Sequence, residues 1–403
     1  MNRPLRRTRG DLLATGAITV VSLAAVAGVW LTAPIRSSEL TPAETEYTAP
    51  EQLDTVPDAL PESWSVVDRA LPGVHRPVVI DGLVVTSDGH RVSALDPAGQ
   101  VVWTYERDLE LCSLGVAWGR VVTTWRAGNG CGDVVAIDAA TGTYERTRSD
   151  LSPDDVVALA SNDRIGTVGT DRLELWRSDM VRTVEYGHVE ALQEPNLQPH
   201  PGCELTSALT RTTLLAVTEV CEDGAWLRFQ EATPEESRSP EVGASVELPD
   251  PGSFLVAVGE EGATVVTDQA LVSYSDEGVE LHRHERGAPL PAAVDGLPHA
   301  PVTADLPHHL TWFDGDSLVL LSPAGLEVQH EFPEALGPGV AVGERLLMPV
   351  PEGIAVVDWT TGETENTIPV DRGGYAGMVS LNVVGGTVLE KRGDLVVGLV
   401  PGP

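Results

Sequence analysis

The chain is 403 residues long and carries 60 acidic against 26 basic side chains, a formal net charge of −34. A surface that negative repels phosphates and anionic lipid headgroups, which argues against nucleic-acid binding and favours a cationic partner, metal ions or simple solubility. Lys391 is the single lysine, and the heavy use of Arg, Ala, Val and Gly fits a high-GC bacterial genome such as an actinobacterial one.

The first predicted element is a membrane-crossing helix. Leu12 to Leu31 is nearly free of charge, and at about 1.5 Å per residue it just spans a hydrocarbon core. Arg3, Arg6, Arg7 and Arg9 precede it, while Arg36 alone follows closely. The positive-inside rule then puts the N-terminus in the cytoplasm and the rest outside. A cleaved signal peptide is the rival, with Ala25-Val26-Ala27 as its cleavage site. Trp30 and Leu31 carry the apolar run past that site, which favours an uncleaved anchor. The expected division is residues 1–11 in the cytoplasm, 12–33 as the transmembrane helix, 34–62 as a flexible linker, and 63–403 as the folded domain. The linker assignment rests on Pro, Thr, Glu and Ala without apolar periodicity.

From residue 63 onward the pattern is short strands. A run such as Leu83-Val84-Val85-Thr86 is followed by a turn, a second run Arg91 to Leu95, and a tight corner Asp96-Pro97-Ala98-Gly99. The second run recurs near Asp133, Arg172, Ala225, Ala270, Ser317, Gly353 and Asp394, at roughly the 36 to 53 residues of a propeller blade. The fold expected is all-β: a propeller of eight four-stranded blades, with seven left open by the irregular third and fourth units. The last unit, Val379 to Val400, supplies three strands, and Trp64 to Val67 can complete it and close the ring.

The corners at Ala94 to Trp103, Ala136 to Gly142 and Val356 to Gly362 resemble the repeat of the PQQ-like (quinoprotein-type) β-propeller family, Ala-x-Asp-x-x-Thr-Gly-x-x-x-Trp. The resemblance implies that Asp96, Asp138, Asp358, Thr141 and Thr361 brace turns at Gly99, Gly142 and Gly362, and that Trp103 packs between blades. Arg146 and Asn366 stand where the second and seventh units would carry the motif's Trp. Family members that hold the quinone typically have adjacent cysteines, and this chain has no Cys-Cys pair, so no cofactor is expected. Cofactor-free members include envelope assembly scaffolds, which implies a binding role here.

Four cysteines in an exported domain point to disulfides. Cys112 and Cys131 in the second unit, and Cys203 and Cys221 in the fourth, occupy equivalent places around a hairpin, which favours those two pairings. Four-cysteine zinc binding lacks the C-x-x-C spacing it needs.

Little else marks chemistry. His282 and His284 would share a strand face, as metal ligands do, but lie in a charged outer-strand stretch. Asp314-Gly315-Asp316-Ser317 suits a hairpin turn better than a calcium loop. There is no G-x-S-x-G elbow and no phosphate loop. Trp103, Trp118, Trp125, Trp176, Trp226, Trp312 and Trp359 suit packing between blades, or else a platform for a glycan or peptide. The expectation is a single-pass, membrane-anchored, extracytoplasmic propeller that is not an enzyme and has no metal site. It would bind or scaffold an envelope or membrane protein. The alternatives are a degenerate quinoprotein dehydrogenase, a polysaccharide-active propeller, or a ligand sensor.

Overall fold

The computed structural model describes residues 8–161, 163–189, 194–287 and 296–402; Arg3, Arg6 and Arg7 lie outside them. Helix α1 (Arg9–Thr32) begins on a capping box, with Thr8 and Asp11 satisfying each other's backbone N–H groups. Its 24 residues give a length of about 36 Å. None of its side chains is buried against the rest of the chain. An apolar cylinder of that length with no protein around it is a membrane anchor or a signal sequence.

The remainder is mostly β, in eight sheets arranged as the blades of a propeller. Within a blade, consecutive strands pair antiparallel from the axis outward. The third strands are Arg91–Leu95, Gly130–Asp138, Arg172–Trp176, Gly224–Glu231, Ala270–Ser275, Leu318–Leu321, Gly353–Asp358 and Leu395–Leu399. They fall where the repeated phrase places them, and the third and fourth units are complete blades, so the count is eight. Middle strands such as Leu83–Ser87 are buried at every position because a neighbouring blade covers each face. The outer strand Val101–Arg107 reaches solvent and returns to alternation.

Strand β1 (Ser38–Thr41) adds a fifth strand to blade 1, pairing Ser38 with Arg107 and Thr41 with Thr104. Strand β2 (Glu62–Val67) completes blade 8, pairing Trp64 with Gly398 and Val67 with Leu395. This is the expected ring closure. Asp68, just beyond, locks it: its carboxylate accepts from Ser87 N of blade 1 and pairs with Lys391 of blade 8. The only lysine is therefore a buried closing pin.

The flexible linker expected over 34–62 is not what the chain forms. Residues 38–61 lie as an ordered strap across the ring. Ala43 N and Tyr47 N donate to Thr141 O and Ala140 O, Tyr47 Oη to Gly82 O, and Leu53 N to Gly385 O. Gly402 N and Val400 N donate back to Ala59 O and Pro61 O. Leu60 is 2 % exposed, and Leu53 and Val56 pack on the core shared by blades 7 and 8. Irregularly spaced side chains dock on two interblade cores, so the strap needs no periodicity. The folded unit thus starts at Ser38, and only Ala33 to Ser37 separate it from the helix.

Antiparallel strand order gives the ring two faces. One carries the turns between first and second strands and the corners between third and fourth. The other carries the second-to-third turns and the crossovers to the next blade. The strap lies on the first, the corner face, over blades 2, 1, 8 and 7.

Candidate binding site at the ring axis

The corner residues brace turns. Asp96 Oδ1 accepts from Ala98 N (2.9 Å) and Gln100 N (2.8 Å). Asp138 Oδ1 accepts from Thr141 N (2.8 Å) and Thr141 Oγ1 (2.7 Å). Asp358 Oδ1 accepts from Thr360 N at 2.8 Å, and Thr361 Oγ1 accepts from Glu363 N at 3.3 Å. The corner glycines have positive φ, and each receives a ring from the preceding blade: Trp64 on Gly99, Trp103 on Gly142, His330 on Gly362. Trp103 also donates Nε1–H to Ala139 O at 2.8 Å. The ring packs onto the next blade's corner and not onto its own.

A second interblade contact was not foreseen. Arg107, Arg148 and Arg286 leave the outer edges of blades 1, 2 and 5. They pair with Asp133 (2.7 Å), Glu174 (2.7 Å) and Asp314 (3.0 Å) of the next blade. Each guanidinium also lies over a tryptophan of that blade: Trp125, Trp176 and Trp312. Arg suits this place because its planar head stacks and bonds a carboxylate at once. Trp103, Trp125, Trp176, Trp312 and Trp359 are buried, and Trp118 and Trp226 half-buried. The five buried ones serve packing.

Disulfides join Cys112 to Cys131 and Cys203 to Cys221. Their placements differ in detail: Cys131 opens a third strand, whereas Cys221 ends a second strand. His282 is exposed, and His284 reaches only Glu331, at 3.7 Å. Asp314 Oδ1 accepts from Asp316 N and Ser317 N, as in a hairpin turn. Among the described residues, the one cluster of three metal-ligating groups within reach of each other is His200, Cys203 and Glu219. Cys203 is already spent in its disulfide.

The groups that converge lie at the axis. On the crossover face, the segment before Val78 and the segment before Val302 cross it. His75 Nε2 lies 3.1 Å from Ala300 O, and His299 N donates to Thr206 O at 2.6 Å. The His299 ring stacks on Phe254 with centroids 3.5 Å apart. Burial, then the nearby His75, hold its pKa down to about 4. Burial also lowers that of His75. An apolar cavity of about 510 Å³, lined by Leu71, Val74, Leu297 and Met378, opens beside these segments.

On the corner face the axis opens as a polar funnel of about 310 Å³. It lies beside blades 3 to 6, the half that the strap leaves uncovered. Asp163 and Glu260, on turns after innermost strands, and Arg211 and Asp305, at the ends of two such strands, stand around its mouth, and Arg76 lies deep within it. Arg76 Nε and Nη2 donate to Leu381 O (3.2 and 3.0 Å), and Nη2 to Gly339 O (3.4 Å). Those carbonyls sit on or beside innermost strands, whose inner edges have no strand to pair with. Burial lowers the Arg76 pKa to about 10, so it stays charged at neutral pH. Arg211 and Asp305 pair across the mouth at 2.8 Å. Sequence reasoning missed Arg76, because nothing local distinguishes an axial arginine from a surface one.

Known structures share this architecture. BamB from Moraxella catarrhalis matches at 15% identity, covering 85% of this chain and 100% of that one, with a TM-score of 0.47. The computationally designed protein Ika8 matches at 13% identity over 88% and 99%, with a TM-score of 0.51. AztD from Citrobacter koseri matches at 15% identity over 76% and 87%, with a TM-score of 0.45. Identities this low speak for the fold alone. No family model and no curated protein matches the sequence.

Proposed function

We propose that this chain is a membrane-anchored, extracytoplasmic propeller of the cell envelope, related to the PQQ-like group, that binds a partner protein without catalysing a reaction. The observation that carries this reading is the coupling of helix to ring. With only Ala33 to Ser37 between α1 and β1, the end of the helix lies within about 20 Å of the outer edge of blade 1. Arg36 stacks on Trp30 at 4.0 Å from the ring centroid, a pairing suited to the outer membrane interface. Two disulfides, with no free cysteine among the described residues, fit an oxidising compartment. A rigid ring strapped to a membrane helix offers broad loop faces at a fixed height, which suits presentation or assembly.

Affinity purification of the full chain from detergent-solubilised membranes tests this. A stoichiometric protein partner that survives crosslinking is the expected result. A chain that is recovered without any partner, and that turns over a substrate, would contradict it.

A further inference from the structure

Arg76 is unusual among the arginines of the ring interior. Arg107, Arg148, Arg172, Arg228, Arg286, Arg372 and Arg392 each meet a carboxylate. Among the described residues, none pairs with Arg76. Asp305, whose field does reach it, is hydrogen-bonded to Arg211. A cation deep in a protein and matched only by carbonyl dipoles is costly, and a bound anion would offset that cost. Two backbone carbonyls take Nε and Nη2. Nη1 has no bond among the described residues and is not among the sealed, unpaired atoms of the interior, so it is the nitrogen left open at the axis, where Arg76 lines the funnel and the cavity on its crossover side.

The mouth has the opposite sign. Asp305 is matched by Arg211 and Asp163 by Arg164 (3.0 Å), which leaves Glu260 as the mouth carboxylate without a cation among the described residues, in a chain of net charge −34. A simple anion meets the unmatched Glu260 on its way in, whereas a molecule with both signs gains at both ends. We propose that the axial funnel binds a small zwitterion of the amino-acid type, its carboxylate on Arg76 and its ammonium group among the mouth carboxylates. This goes beyond the partner-binding role and stands independently of it, since the ring faces can hold a protein whether or not the funnel is filled.

The test is calorimetric titration of the full chain in detergent at physiological salt with L-lysine, hexanoate and hexylamine. L-Lysine is expected to bind saturably, and about tenfold or more tighter than either singly charged probe. Arg76→Gln should reduce L-lysine to the level of hexylamine. Glu260→Gln, at an exposed position, should weaken L-lysine severalfold and should not weaken hexanoate. Should Arg76→Gln fail to fold, the order of the three probes and the Glu260→Gln result decide alone. No saturable L-lysine binding at millimolar concentration, L-lysine binding no tighter than hexylamine, or undiminished binding by a folded Arg76→Gln would each overturn the proposal.

Discussion

Gly142 has a φ of 66°, and a Cβ placed there would lie 2.5 Å from Trp103 Cγ. Two penalties therefore coincide: a left-handed backbone and the loss of the ring's seat. Gly142→Ala is expected to cost about 2–4 kcal/mol, whereas Gly373→Ala, at a φ of 59° with nothing in reach, should cost about 1 kcal/mol. Denaturant midpoints of the two variants check this, and equal costs would deny the interblade seat. The second residue-scale expectation concerns His299. Its pKa near 4 lies below the value near 6.5 of an unfolded chain, so the unfolded chain takes up the proton first. The stability that His299 confers is complete above about pH 6.5 and lost as pH falls from there toward 4. Because the ring keeps some exposure, the loss should be about 1–2 kcal/mol. His299→Gln should remove that part of the acid slope in melting temperature; an unchanged slope would place the acid sensitivity elsewhere.

At the scale of elements, the blades could be read from the sequence because their physics is local. Apolar strands of four to six residues, turns such as Asp81-Gly82, and corners such as Asp138 to Gly142 each announce themselves within a few positions. The missing strand of blade 8 was legible for the same reason, since Val379 to Val400 gives three strands and Trp64 to Val67 stands alone. The strap was not legible. Leu40 and Tyr47 dock on the core of blades 1 and 2, and Leu53, Val56 and Leu60 on that of blades 7 and 8; their spacing is irregular, so no period links them and the Pro-rich stretch imitates a tether. The Arg–Trp–carboxylate clasps and Arg76 were hidden likewise, because their partners come from neighbouring blades. Leu60→Ala distinguishes strap from tether. A docked strap predicts a loss of about 2–4 kcal/mol, and a free linker predicts none. Hydrogen exchange over residues 43–60 gives the same answer without mutation, slow for a strap and fast for a tether.

At the scale of the whole molecule, the strap and the funnel share one face and divide it between them. Blades 2, 1, 8 and 7 are covered by chain that leads back to α1, while blades 3 to 6 surround an open mouth. Ring closure by β2 and Asp68–Lys391 gives the last blade its fourth strand and ties it to the first. The acidic surface adds solubility and disfavours close approach to anionic headgroups, so in the proposed anchored form attachment would fall to the helix. A chain that crosses the membrane and carries an oxidised ring on the far side has a defined covalent state. Intact-mass measurement of the membrane-extracted protein, without reduction, reads it directly. The expected species retains residues 12–33 and lacks four cysteine hydrogens through the bridges Cys112–Cys131 and Cys203–Cys221. A species that begins after Ala27, or one with four free thiols, would contradict an anchored, exported propeller.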